Sequence, residues 1–266
     1  MGVPETTLTI LIPIYNGAAT LDRCMESLQK QTFQQFNVLC VNDASTDQSL
    51  TLLKKWQTIF GEDKLQVLTN QENQGITISL NSGLALIKTP WTARLDGDDW
   101  WHHEKLAQQM HFLQNHSGYG LIGCNYTNIA YGKEKSITCP ESDATIKKNI
   151  FKRNPFAHST VVFDTALVNA MDGYDASIRY GQDYDLWLRL LPHTKFHNLQ
   201  TVLCYRNAES SISQVHQNAQ MRQCLKTQLK YLKLYQRSYL EYRFLLEPLF
   251  VILAPEWLKK CKRAFL

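Results

Sequence analysis

The stretch Ala93-Arg94-Leu95-Asp96-Gly97-Asp98-Asp99-Trp100 sets three carboxylates within four residues. Trp91–Leu95 reads as a short apolar strand, and the acidic group caps its carboxyl end. Packed carboxylates repel one another, which raises their pKa and costs stability unless a cation sits among them. A hard divalent ion with oxygen ligands, Mg²⁺ or Mn²⁺, is the natural neutraliser, and such ions bridge carboxylates to substrate phosphates. An acidic surface turn has the same composition, because Asp and Gly are ordinary turn residues. The surrounding chain has to separate the two.

Upstream, Leu8-Thr9-Ile10-Leu11-Ile12 is an apolar, β-branched run ending at Pro13, the pattern of a buried parallel strand. Asn16-Gly17 makes a turn, and Thr20 is expected to cap a helix carrying Leu21, Cys24, Met25 and Leu28 at helical spacing. Phe36–Val41 is a second strand, which ends in the polar loop Asn42–Asp47 and runs into a helix with Leu50, Leu53 and Trp56. Leu65–Leu68 is a third strand, Asn70–Gly75 a loop and Ile76–Ile87 a helix. This repeated alternation of strand and helix predicts an α/β, doubly wound, mostly parallel sheet. Ligands of such sheets bind beyond the carboxyl ends of the strands. The loops Asn42–Asp47 and Asp96–Asp99 should therefore converge on one crevice.

Downstream, Glu104–Gln114 reads as a helix, Gly118–Tyr131 as a strand region and Gly132–Asp143 as an irregular loop. A short helix over Ile146–Phe151 precedes a strand over Thr160–Phe163. Gln182-Asp183-Tyr184-Asp185 opens a helix over Leu186–Leu191, and Thr201–Tyr205 is a further strand. From Val215 to Leu246 the residues Met221, Leu225, Leu229, Leu232, Tyr235 and Tyr239 step by helical intervals.

The chain has 266 residues, 44% hydrophobic and 20% charged, ordinary values for a globular protein with a large core. A net charge of +4 is too small to argue for nucleic acid. Ala219–Leu266 carries ten Lys and Arg against three Glu, a basic tail on a mildly acidic body that suits an acidic partner surface. Seven cysteines without a CxxC pair disfavour a disulfide framework and a zinc site, and fit a reducing compartment. There is no basic n-region of a signal peptide, and no apolar run reaches the ~20 residues that span a bilayer. Met1-Gly2 and Thr6 match a myristoylation pattern formally, but the apolar run behind them reads as a core strand.

Six segments recur in a characteristic order. They are Ile12-Pro13-Ile14-Tyr15-Asn16, Val41–Asp47, Asn73-Gln74-Gly75, Leu80-Asn81-Ser82-Gly83-Leu84, Ala93–Trp100 and Gly181-Gln182-Asp183-Tyr184-Asp185-Leu186-Trp187-Leu188-Arg189. This ordered set, over about residues 7–215, resembles the family-two inverting glycosyltransferases of bacterial surface-polysaccharide assembly. The resemblance implies the GT-A fold, with a nucleotide-sugar half over about 7–100 and an acceptor half over 101–215. Residues 216–266 form a basic, amphipathic helical tail beyond it.

By the same resemblance, Pro13, Tyr15 and Asn16 wall the nucleotide, and Asp43 takes the edge of uracil or another base. Asn73 and Asn81 contribute to substrate binding, Asp96 reaches the ribose, and Asp98 binds Mn²⁺ or Mg²⁺. Asp99 either meets the metal through water or caps the following helix. His158 resembles a recurring acceptor-side histidine, though a lone histidine is often structural. Asp183 is the general base by resemblance. A helix N-terminus favours its anion, and a plain N-cap would look the same. Arg94 is read as a salt-bridge partner holding the acidic loop, Asp185 with Arg189 as a structural pair, and Trp187 as core.

Two positions depart from the family pattern. Gln182 stands where an acidic residue usually precedes the base, and Ala208 where a late histidine often assists the metal or diphosphate. Arg206 and His216 are the nearby groups able to stand in for it.

The expected function is transfer of a hexose or N-acetylhexosamine from a nucleotide-diphosphosugar, UDP-linked, to a lipid-linked glycan acceptor. The expected place is the cytoplasm, at the inner face of the cytoplasmic membrane. Trp257-Leu258-Lys259-Lys260-Cys261-Lys262-Arg263 is the expected membrane contact. The rival reading is a nucleotide-sugar-binding protein that has lost transfer. A Rossmann dehydrogenase is disfavoured because no GxGxxG follows the first strand.

Overall fold

A computed structural model describes residues 6–209 and 217–253. The myristoylation pattern at Met1-Gly2, His216 and the Trp257–Arg263 segment lie outside the described residues.

All seven residues of β1 (Leu8–Ile14) are buried. It pairs in parallel with β2 (Phe36–Asn42) on one side and β4 (Trp91–Arg94) on the other, and β2 pairs in parallel with β3 (Leu65–Thr69). A strand enclosed in this way has no polar face, which is why its sequence is continuously apolar. Strand side chains still alternate between faces. Leu11, Leu39 and Val41 join one core cluster, whereas Ile10, Ile12, Val38 and Cys40 join another. The first core holds α3 (Ile76–Leu84) and α7 (Gln182–Leu190) through Leu80, Leu84 and Trp187. The second holds α1 (Ala18–Gln29), α2 (Ser49–Phe60) and α4 (Lys105–Asn115) through Leu21, Met25, Leu53, Trp56 and Leu106. Helices thus cover both faces, as expected of a doubly wound α/β sheet.

The second half extends the same sheet with mixed strands. β8 (Val162–Asp164) runs antiparallel to β4, and β6 (Tyr119–Ala130) antiparallel to β8. β9 (Lys195–Asn207) lies parallel to β6, and β5 (Trp100–Trp101) pairs with its end. The order is β3-β2-β1-β4-β8-β6-β9-β5. α5 (Asp143–Asn149) and α6 (Thr165–Ala170) are short connectors.

Four local expectations need correction. Thr20 does not cap α1: the helix starts at Ala18 behind Gly17, and the Thr20 hydroxyl reaches Gly97 O at 3.0 Å, tying α1 to the acidic loop. Gly132–Asp143 is not all irregular, because β7 (Lys133–Ile137) pairs with β6 as a hairpin about Tyr131-Gly132. The exposed, charged Lys133-Glu134-Lys135 hid that strand from any apolar pattern. Asp99 caps no helix, since α4 begins at Lys105. The C-terminal helix is not continuous to Leu246. α8 (Gln217–Leu234) ends, the chain turns at Gln236 with φ 49°, and a 3₁₀ helix over Tyr239–Leu245 leads into α9 (Leu246–Leu253).

α8 is nevertheless part of the body. Tyr231 and Leu232 are buried in the first core, and the Tyr231 hydroxyl donates to Asp185 Oδ1 at 3.0 Å.

The close approach of α3 to the sheet explains Gly83. A Cβ there would lie 2.3 Å from Leu11 Cδ1 and 3.1 Å from Val41 Cγ2. Gly83→Ala is therefore expected to overpack the core and destabilise the protein by about 1–3 kcal/mol, read by chemical denaturation. An unchanged midpoint would mean that α3 does not seat this closely on β1 and β2.

Candidate active site

The crevice forms beyond the ends of β1, β2 and β4, where three loops are laced together. Asn16 turns the chain at φ 51°, a left-handed conformation that Asn tolerates. Its N–H donates to Ser45 Oγ at 3.0 Å, and its Oδ1 accepts from Thr46 N at 2.8 Å. Asp47 Oδ2 accepts from Ala18 N at 3.0 Å, which binds the second loop to the start of α1. Asp43 fastens the third loop. Its Oδ1 accepts from Asn70 Nδ2 at 2.8 Å and Gln74 N at 2.9 Å, and its Oδ2 from Gly75 N at 2.8 Å. Two carboxylate oxygens offer about four acceptor sites, so Asp43 keeps capacity for a ligand while it holds the loop.

Two adjoining cavities open here. The larger, of about 540 Å³, is lined by Pro13, Tyr15, Asn16, Asp43, Asn73, Asp96 and Asp98. The smaller, of about 180 Å³, is lined by Asp96, Asp98, Asp99, His158, Gln182, Asp183 and Arg206. Both share Ile76, Asp96, Asp98, Arg179 and Tyr180. The acidic loop is thus the junction of one continuous crevice.

Of the ten residues given a catalytic, substrate or metal role in the sequence, only Asn81 lines neither cavity. Its Nδ2 donates to Tyr174 O at 2.7 Å and its Oδ1 accepts from Tyr174 N at 2.8 Å. Asn81 faces the loop before α7 and clasps it; substrate contact is not its place.

The three junction carboxylates differ. Asp96 is held by the Arg94 guanidinium on Oδ1 and by Ser159 Oγ on Oδ2 at 3.1 Å. Burial alone would raise its pKa, but the Arg94 guanidinium beside it brings it down to about 2. Arg94 is fully buried, so this pair fixes the loop as the sequence suggested. Asp99 accepts from Asn207 N at 2.9 Å, and Arg206 Nε lies 3.6 Å from its other oxygen. Burial, with repulsion from Asp96 and Asp98, pushes Asp99 up to about 7. The Asp98 carboxylate takes no hydrogen bond or ion pair from another described residue, and burial with Asp96 beside it raises it to about 6. One oxygen from each of the three lies within 4.8 Å of the others. A hard cation fits this set: Asp98 has a free carboxylate, and Asp99 Oδ2 is buried without a hydrogen bond.

Asp183 is the second residue of α7, behind Gly181 at φ 74°. Burial raises its pKa, and Asn154 Nδ2 donates to its Oδ2 at 2.8 Å. His158 contacts the Tyr174 hydroxyl through Nε2 at 2.8 Å, and burial followed by the Arg94 charge holds it well below its ordinary pKa. It lines the cavity wall with its ring nitrogen already engaged by Tyr174. Asp185 binds Arg189 Nε at 2.8 Å and Trp187 is fully buried, so both are structural.

A family model described as Glycosyl transferase family 2 matches residues 9–167. The chain belongs to that family. Among relatives, the putative glycosyltransferase EpsE of Bacillus subtilis is 28% identical over 209 residues, covering 77% of this chain and 73% of EpsE. WfgD of Escherichia coli is named a UDP-Glc:alpha-D-GlcNAc-diphosphoundecaprenol beta-1,3-glucosyltransferase. It is 28% identical over 212 residues, 77% of this chain and 79% of WfgD. The structure of Staphylococcus aureus TarS 1-349 with UDP-GlcNAc superposes with a TM-score of 0.70 at 18% identity, covering 91% of this chain and 71% of that one. The mannosyltransferase PcManGT of Pyrobaculum calidifontis, solved with GDP-Man and Mn²⁺, gives 0.68 at 15% identity, covering 95% and 72%. These likenesses fix a GT-A fold.

In this family-two glycosyltransferase, sequence reading passed over several crevice residues. Arg179 and Tyr180 line both cavities, and Asn207 and Gln220 line the smaller one. Arg179 and Tyr180 stand just ahead of Gly181-Gln182-Asp183, which was the available signal. Gln220 arrives on α8, beyond the last motif. Arg206 does reach the acidic cluster. It stands two residues before Ala208, and residues two apart on extended chain share a side.

Asp98 and Asp99 hold protons more tightly when folded than a free carboxyl of pKa about 4. Their contribution to stability without metal therefore falls as pH rises from about 4 to 7. Asp98→Asn in EDTA is expected to raise the melting temperature by about 2–4 °C at pH 8 and to change it little at pH 4. Equal shifts at both pH values in a thermal melt would refute the repulsion.

Proposed function

We propose that this chain transfers a hexose or N-acetylhexosamine from a nucleoside-diphosphate sugar, UDP-linked, to a hydroxyl of a lipid-linked surface glycan, with inversion. The observation that carries the reading is the junction itself. Asp98 points a free carboxylate at the boundary between the cavity holding Asp43 and the cavity holding Asp183.

The donor's base and ribose would lie against Pro13, Tyr15, Asn16 and Asp43, with Asn73 at the edge and Asp96 near the ribose. Asp98 would hold Mn²⁺ or Mg²⁺ with help from its acidic neighbours. A bound ion supplies Lewis-acid stabilisation of the departing diphosphate. The sugar then sits at the junction, and the acceptor enters the smaller cavity. Asp183 takes the acceptor hydroxyl proton as that oxygen bonds to the anomeric carbon and the bond to the diphosphate breaks. Attack opposite the leaving group inverts the centre. Asn154 donates to Asp183 Oδ2 and orients the carboxylate toward the cavity.

The names of relatives support the chemistry. WfgD is a glucosyltransferase to a diphosphoundecaprenol-linked sugar, and the TarS and PcManGT crystals held UDP-GlcNAc and GDP-Man with Mn²⁺. With an acceptor of the WfgD kind, the reaction would take place at the cytoplasmic face of a membrane. In this reading residues 7–100 take the donor and 101–215 the acceptor, while 216–266 are a basic amphipathic helical tail. A donor-binding protein without transfer is the second reading, because Gln182 and Ala208 depart from the family. The intact Asp183 and the Arg206 cation beside Asp99 favour transfer.

Asp183→Asn is expected to lower transfer by about 10²–10⁴-fold while calorimetry with UDP-sugars and Mn²⁺ shows unchanged donor affinity. Asp98→Ala should abolish the gain in donor affinity that Mn²⁺ gives over EDTA. Full turnover in Asp183→Asn would remove it from the role of base. Donor binding by the native chain without transfer across a broad acceptor panel would favour the second reading.

A further inference from the structure

α9 (Leu246-Glu247-Pro248-Leu249-Phe250-Val251-Ile252-Leu253) has one polar residue in eight. A helix that is apolar nearly all round belongs in a core or in lipid. Here only part of it is in the core. Pro248 is buried and Leu249 packs on the first core, whereas Leu246 is 66% exposed, Phe250 38% and Leu253 76%. Those three positions, spaced i, i+4 and i+7, share one helix face. The segment leading into α9 behaves alike: Leu234 is 62% exposed, Tyr239 93% and Leu240 73%. Tyr242 and Phe244, between them, pack on the core and hold the segment in place. Among the described residues, six of the eleven large apolar side chains most open to water lie in Leu234–Leu253.

Charge identifies what covers this face. Residues 217–253 carry six Lys and Arg against two Glu. Arg222, Lys226, Lys230 and Lys233 are exposed and step by four, four and three along α8, a single basic stripe that ends at Leu234. Beyond α9, the sequence 254–266 adds four Lys and Arg against one Glu. Aromatic and aliphatic side chains flanked by cations are the pattern of a segment lying in the interface of an anionic bilayer. A second copy of the chain would bring its own basic stripe and repel. No helix among the described residues is long and apolar enough to cross a membrane, so the contact is peripheral.

We infer that the face formed by Leu246, Phe250, Leu253, Tyr239 and Leu240 docks this protein on an anionic lipid surface. The inference goes beyond the transferase reading and does not depend on it. It also moves the contact expected at Trp257–Arg263 inward, to a folded surface. Gln220 lines the acceptor-side cavity, and Leu234 lies fourteen positions further along α8. At 1.5 Å per residue, that sets the cavity about 20 Å along the helix from the lipid-facing end. An acceptor anchored in the same bilayer by its lipid can reach it across that distance.

Vesicle flotation of the full chain tests this, with phosphatidylcholine vesicles and with phosphatidylcholine–phosphatidylglycerol vesicles. The native chain should float with the mixed vesicles and bind far less to the neutral ones. The double variant Leu246→Ser/Leu253→Ser should lose about tenfold or more of that binding with an unchanged far-UV spectrum. Tyr239→Ser/Leu240→Ser, at exposed positions of the 3₁₀ segment, should weaken it in the same direction if the first variant folds poorly. Lys226→Ser/Lys233→Ser should reduce binding to the anionic vesicles alone. Native-like flotation of both apolar variants would overturn the inference and leave residues 254–266 as the contact. A native dimer that Leu246→Ser/Leu253→Ser converts to monomer, with vesicle binding intact, would overturn it in favour of self-association.

Discussion

Three carboxylates at the end of β4 repel one another, and the arrangement of the site follows from how that repulsion is relieved. Arg94 neutralises Asp96 from inside the sheet, and Arg206 approaches Asp99 from β9. Asp98 is left without a partner among the described residues. A chain built only for stability would not retain such a group, because a half-buried carboxylate without a partner, beside another carboxylate, costs free energy. The pairings immobilise two carboxylates and present the third. They also draw on both halves of the molecule: Ser159 and Arg206 come from segments far in sequence from Asp96 and Asp99. The acidic loop is set only when both halves are folded.

The same economy of contacts places the other loops. Asp43 gathers Asn70, Gln74 and Gly75 around itself, and Asn81 clasps Tyr174. The loop between Gly173 and Gly181, which carries Arg179 and Tyr180 over the junction, is thereby fixed to α3, and Thr77 Oγ1 adds a 2.7 Å bond to Ile178 O. α3 is itself pressed on β1 and β2 at Gly83. Rigid packing below and tethered loops above keep the crevice preformed, which reduces the ordering a bound donor must impose.

The parallel half was legible because β1, β2 and β4 are buried on both faces and show it as apolar runs, and because each ends in a polar loop. Asp96, Asp98 and Asp183 were legible from ordered motifs, and the structure brings them to one crevice. What escaped had no periodic signature. β7 is an exposed, charged edge, β5 is two residues long, and α6 is a single short connector. Asn81 sits in a recognisable motif, but sequence cannot say whether an amide meets ligand or backbone. The apolar side of α9 was equally unreadable. A run such as Leu249–Leu253 looks the same whether it enters a core or faces outward, and only its neighbours decide.

The two departures from the family pattern make sense together as a change in charge. Gln182 removes a negative group beside Asp183, so the base has one neighbour fewer to repel its anion. Arg206, two residues before Ala208, brings a permanent cation to Asp99, where a histidine would bring one only at low pH. Both changes make the crevice less negative before a cation binds. Burial and repulsion still hold Asp98 and Asp99 at about 6 and 7, so the site keeps an affinity for positive charge near neutrality. That residual demand, focused on one carboxylate between two cavities that has no partner among the described residues, ties the acceptor-side changes to the donor-side chemistry.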